Sequence, residues 1–172
     1  MAAARQYWLM KSEPDVFSID DLRTRPGRTE HWDGVRNFQA RNYMRAMRKG
    51  DLAFFYHSSC PVPGVAGIVE IVREAYPDFT AWDPQSPYHD PRSTPEKPYW
   101  YMVDVRFKRK LERLVPLAEL RANPKLNRMR LLAPGNRLSI MPVTAAEWEA
   151  ILAMEKRGGR SKDARKKSGE HQ

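Results

Sequence analysis

WDGVRNFQARNYMRAMRKG, residues 32–50, joins two kinds of sequence. From Asn37 onward, Ala40, Met44 and Met47 recur at the helical repeat with Tyr43 beside them, and Gly50 stands where a C-terminal cap belongs. The spacing predicts a helix. At about 3.6 residues per turn, Arg41, Arg45, Arg48 and Lys49 gather roughly a third of a turn away from that stripe, so one face packs and the other is cationic. The lead-in Trp-Asp-Gly-Val-Arg-Asn is explained by neither face.

On the N-terminal side, Tyr7–Ser12 reads as a strand that turns at Glu13-Pro14. Ser18 with Asp21 three residues on, and Phe17 against Leu22, carry the capping-box and staple signature of a short helix that Arg25-Pro26-Gly27 ends. Beyond the quoted stretch, 51–57 and 65–72 read as strands of a hairpin turning at 61–64, with Gly67 allowing a close approach. Residues 76–98 carry six prolines, too dense for a regular element, and Asp83 and Asp90, each before a proline, predict turns. A long strand follows at 99–107, then a short helix near 116–121, a Met/Leu-rich turn at 126–132 and a strand at 137–143. Thr144 and Glu147 form a second capping box, with Val143 and Trp148 stapling a last helix to about Met154. Strands interrupted by short helices, without regular βαβ alternation, point to an α+β barrel rather than a doubly wound sheet.

The 172 residues suit one domain, at 1–154, followed by a basic, disordered tail at 155–172. No apolar run long enough to span a bilayer is seen and no secretory leader, so the chain is expected to be intracellular, with no membrane partner. Cys60 is the only cysteine, which excludes an intramolecular disulfide and a thiolate-rich zinc site. The net charge of +9, of which the tail supplies +4, favours a polyanionic partner.

Phosphate-loop, dinucleotide, nucleophile-elbow and zinc-deaminase signatures are absent. His57 and Cys60, three apart, could form a base and a nucleophile, but no orienting carboxylate is near in sequence. The four histidines lack metal-ligand spacing, so no metal and no cofactor is expected. What remains is aromatics beside polar groups: Trp32 with Arg36 and Asn37, Lys11 with Ser12, and Tyr56 with His57 and Ser58. Flat faces that stack a base, beside groups that read its edge, are what recognition of an unstacked nucleobase requires. Each has a structural reading too: Trp32 as core, Asn37 as helix N-cap, Tyr56 as a core residue with its hydroxyl at the surface.

The ordered motifs YWLMKSEP at 7–14, WDGVRN-x-QARN at 32–42, GD-x-x-FFYHS at 50–58, YPD-x-T at 76–80, DP-x-S-x-Y-x-DP at 83–91 and RLS-x-x-PV at 137–143 resemble the EVE domain family over about residues 5–153. The resemblance implies a PUA-like fold, a mixed pseudo-β-barrel flanked by short helices. It also implies a non-enzymatic reader of modified bases, methylated or hydroxymethylated cytosine in DNA being the leading ligand. Carried over residue by residue, Lys11 and Ser12 line the pocket, Trp32 stacks on the base, Arg36 and Asn37 stand at the rim, and Tyr56, His57 and Ser58 close the far wall. Ser139 is a further candidate, and Arg41 and Arg45 are expected to hold phosphates. The rival readings are an RNA-binding PUA-like protein recognising structured or modified RNA, and a hydrolase using His57. A monomer is expected, cytoplasmic or associated with the nucleoid in a bacterium and nuclear in a eukaryote.

Overall fold

The computed structural model describes residues 4–169, with side chains to Arg157. Six strands form one mixed sheet in the order β2-β5-β4-β3-β1-β6. They are β1 (Tyr7–Ser12), β2 (Thr29–His31), β3 (Leu52–His57), β4 (Gly64–Pro77), β5 (Tyr101–Pro116) and β6 (Ile140–Val143); the helices are α1 (Ile19–Thr24), α2 (Phe38–Ala46), α3 (Leu117–Ala122) and α4 (Ala145–Gly169). β1 runs parallel to β3, reached by a crossover through α1, β2 and α2, while the other pairings are antiparallel.

β2 and β6 are the free edges, and α2 packs against β5 beside one edge and β6 at the other. The helix thereby fills the gap that strand pairing leaves, which is how an open sheet becomes a pseudo-barrel. β4 and β5 exceed their expected lengths because repeated register shifts let two long strands bend without breaking. β3, at the sheet's centre, buries nearly every residue, so it reads as a continuous apolar run instead of an alternating one.

Both predicted capping boxes are present. Ser18 accepts from the Asp21 N–H while Asp21 accepts from the Ser18 N–H, and Thr144 and Glu147 do the same for α4. Gly67 admits α1: a Cβ there would lie 2.7 Å from Ile19 Cγ1. Asp51 is buried and accepts from the Gln6 and Arg48 amides and from Trp8 Nε1, so its charge is solvated by three N–H groups.

Three boundaries are corrected. α2 stops at Ala46 with Met47 as its cap, and Gly50, at φ +97°, instead makes the turn into β3 while its N–H donates to Ile71 O. The 137–143 strand is paired only from Ile140, although the Lys11 N–H still reaches Ser139 O. The last helix does not stop at Met154: α4 runs on, and Glu155, assigned to the tail, is buried and takes both Arg109 nitrogens at 2.7 and 3.0 Å. The side chains from 158 on lie outside the described residues.

Candidate functional site

Residues 32–37 form a strap pinned by the proline-rich segment that follows β4. Asp78, with no exposed surface, accepts from the Gly34 N–H at 2.9 Å, from Arg36 Nη1 at 3.0 Å, and from the amide and hydroxyl of Thr80. Arg36 also donates through Nε and Nη2 to Tyr88 O at 3.0 and 2.6 Å, and through Nη1 to Val35 O. The Tyr88 ring lies on Gly34, where a Cβ would come within 2.7 Å and where φ is +81°. Only glycine meets both demands. The 76–98 segment is therefore ordered around this strap, with Asp83 and Asp90 making the predicted turns through the Gln85 and Arg92 amides.

Between the strap, the end of β1, the turn after it, Ser58 and Ser59 beyond β3, and the approach to β6 opens a cavity of about 790 Å³. Trp32 forms a wall and is otherwise buried, meeting Phe17 and Phe55 edge to face at 6.4 and 5.4 Å. Lys11 is half-buried in the lining, and burial lowers its ammonium pKa. Burial likewise raises the Asp33 carboxyl, against the pull of His31, whose Nε2 lies 3.8 Å away, and of the backbone amide of Asp33 itself; among the described residues it receives no side-chain hydrogen bond. Glu30, by contrast, is committed to Arg25 and to His31. Asp33 is thus an acceptor with capacity to spare facing the cavity.

Of the expected site residues, Lys11, Ser12, Trp32, Arg36, Ser58 and Ser139 are brought together here. Two of these are spoken for: the Ser12 hydroxyl donates to Phe17 O, and Arg36 is the staple just described. Asn37, Tyr56 and His57 lie outside the lining. The Asn37 carbonyl caps α2 at the Ala40 N–H. Tyr56 is buried, and burial pushes its phenol up to about 12. His57 Nε2 accepts from the Ile19 N–H at 3.2 Å, at the first residue of α1, which occupies the lone pair a general base would need. Burial first, then Lys110, lowers its pKa against the opposing pull of Asp20 and Asp21.

Arg41 donates to Tyr99 O and Asn42 Oδ1, and Arg45 lies over the Tyr101 ring at 4.5 Å, so both lean back on the protein. Asp78 and Tyr88 went unremarked as site residues in the sequence, and Asp33 entered only as part of the Trp-Asp-Gly-Val-Arg-Asn lead-in. Asp78 had a signal, since Asp-x-Thr is a local cap and its side chain does accept from the Thr80 amide. Among the described residues, no group of His, Cys, Asp and Glu is arranged to hold a metal, and no helix is long and apolar enough to cross a membrane.

A mixed sheet closed by a helix, with a polar and aromatic cavity at the end of its first strand, defines a PUA-like binding domain. The chain belongs to the EVE domain family, whose domain matches residues 6–154. It is 45% identical over 167 residues to human thymocyte nuclear protein 1, covering 88% of this chain and 74% of that one. Among solved structures, a hypothetical protein from Leishmania major superposes with a TM-score of 0.86 at 49% identity, over 91% of this chain and 98% of the other. Human THYN1, solved in complex with 5-methylcytosine-containing DNA, superposes with a TM-score of 0.84 at 47% identity, over 87% and 97%.

Proposed function

We propose that this protein is a nucleic-acid-binding reader that receives a modified cytosine, flipped out of duplex DNA, in the cavity between β1, the 32–37 strap and β6. The observation that carries the reading is the meeting of the Trp32 wall, the Lys11 ammonium and the uncommitted Asp33 carboxylate in one space. Its volume of about 790 Å³ lies within the range of about 300–1,000 Å³ usual for small-ligand sites. A carboxylate accepts from the exocyclic amine of cytosine, and Trp32 with Phe17 offers apolar surface to a 5-methyl group. Val16, 66% exposed at the rim, is an apolar group able to fill the gap a flipped base leaves in the stack. The likeness to a human protein solved on 5-methylcytosine DNA supports the same ligand class. In this reading the protein binds without chemistry and acts where the DNA is, in the nucleus of a eukaryote or the nucleoid of a bacterium.

The test is fluorescence-detected binding of duplexes differing only in one cytosine's modification, with a matched RNA alongside, at two salt concentrations. The modified duplex binds tightest; Trp32→Phe cuts that preference, and Asp33→Asn, which weakens the contact to the amine that both cytosines carry, lowers affinity for both duplexes, each by about tenfold, the scale of one base contact. Equal, steeply salt-dependent binding of every duplex overturns the reading, and tighter binding of the RNA transfers the site to RNA.

A further inference from the structure

A second, shallower cavity of about 330 Å³ adjoins the first, and Arg137 lines both. Its other walls include Asn37 and Gln39 at the start of α2, Arg130, and Asn136 in the turn before β6. The lining holds two arginines and three carboxamides and no carboxylate. Among the described residues, Arg36, Arg41, Arg109 and Arg113 all spend their guanidinium groups on carboxylates or carbonyls of the chain. Among the described residues, Arg137 forms no ion pair or side-chain hydrogen bond, and Arg130 meets only the Tyr43 ring, 5.9 Å away. Two cations lining one cavity without an acid repel each other, and an anion between them removes that cost.

We infer that this second cavity is a phosphate subsite, which seats the backbone phosphate next to the nucleotide whose base enters the first cavity. The inference rests on the base-reading function proposed above. A flipped base leaves its sugar and both phosphates at the mouth of its pocket, so an anion site sharing a wall residue with that pocket lies within one nucleotide of it. Guanidinium forks match phosphate oxygens, and the Asn37 amide nitrogen, free because its carbonyl caps α2, adds a neutral donor. Such contacts position the strand and carry no sequence information. The phosphate-holding role expected of Arg41, which is hydrogen-bonded to the chain, is better filled by Arg130 and Arg137; Arg45, like Arg130, meets only an aromatic ring.

The experiment measures duplex affinity against salt for the wild-type chain, Arg130→Ala, and Lys108→Ala, an exposed cation on β5 facing Glu70 that serves as a charge-matched control. Duplexes carrying single neutral methylphosphonates scan the phosphates around the modified cytosine. In the expected result Arg130→Ala weakens modified and unmodified duplexes alike, about tenfold at low salt, and lowers the slope of log K against log salt by about 0.9, one phosphate contact. Lys108→Ala leaves both unchanged. One methylphosphonate beside the modified cytosine weakens the wild type similarly and costs Arg130→Ala nothing more. Unchanged salt slope in Arg130→Ala, or losses that simply add at every scanned position, overturns the subsite. If the wild type does not prefer the modified duplex, the base reader itself fails. The phosphate site is then decided by the slope alone, standing if Arg130→Ala lowers it and falling if it does not.

Discussion

Trp32 and Trp148 are nearly equally buried, at 7% and 3% exposure, and differ in what touches their faces. Trp148 is sandwiched in the core, with Phe54 stacked at 3.8 Å on one ring contact and Tyr7 at 4.5 Å on another. Among the described residues the aromatic neighbours of Trp32 meet it edge to face, and part of it lines a cavity. Burial alone would class both as core. Ring partners separate a tryptophan that holds the barrel together from one that leaves surface for a ligand.

The largest test of that contrast is stability. Trp148→Ala is expected to lower unfolding free energy by about 3–5 kcal/mol in denaturant titration. Trp32→Ala should cost about 1 kcal/mol less, since part of its ring already faces a cavity and fewer packed atoms are lost. Equal losses would break the comparison. Asp78→Ala comes next: it strands Arg36 and the Gly34 amide, and removing one partner of a buried pair costs about 3 kcal/mol. Because the strap forms a cavity wall, this variant loses modified-base binding even at temperatures where it stays folded; retained binding would show that the strap is scaffold only.

The smallest effect sharpens the boundary between site and scaffold. His57→Ala removes the acceptor of the Ile19 N–H and is expected to cost about 1 kcal/mol while leaving binding intact. Since the folded pKa of His57 is lowered, its neutral form contributes stability above the ordinary histidine value of about 6.5, and this is lost as pH falls through the lowered value. His57→Gln keeps an acceptor that does not titrate, so that component of acid destabilisation, followed by thermal unfolding from pH 7 to 5, disappears. Loss of DNA binding in His57→Gln would return this residue to the site.

The capping boxes at Ser18 and Thr144, the strand at Tyr7–Ser12 and the hairpin of β3 with β4 were legible from neighbouring residues. So was the reading of Asn37 as the cap of α2, which local spacing favoured over a ligand contact. The proline-rich segment could be recognised as irregular, yet its attachment to the strap could not, because Asp78 and Arg36 stand 42 positions apart. The bond from the Ile19 N–H to His57 was hidden for the same reason, since the two stand 38 residues apart.

What the sequence by itself determined is whatever rests on contacts within a turn or on the period of a strand or helix, together with the family its ordered motifs mark. Backbone geometry alone brings those atoms together, at i and i+3 or on one face. The tertiary structure decided which polar groups remain unspent. Arg36, His57 and Arg41 look like ligands in sequence and are satisfied by distant parts of the chain, and Ser12 by Phe17 five residues on, whereas among the described residues Asp33, Arg130 and Arg137 keep capacity to spare. A polar side chain can serve a ligand only with the hydrogen-bonding capacity that folding leaves it, and that remainder is fixed when the barrel closes.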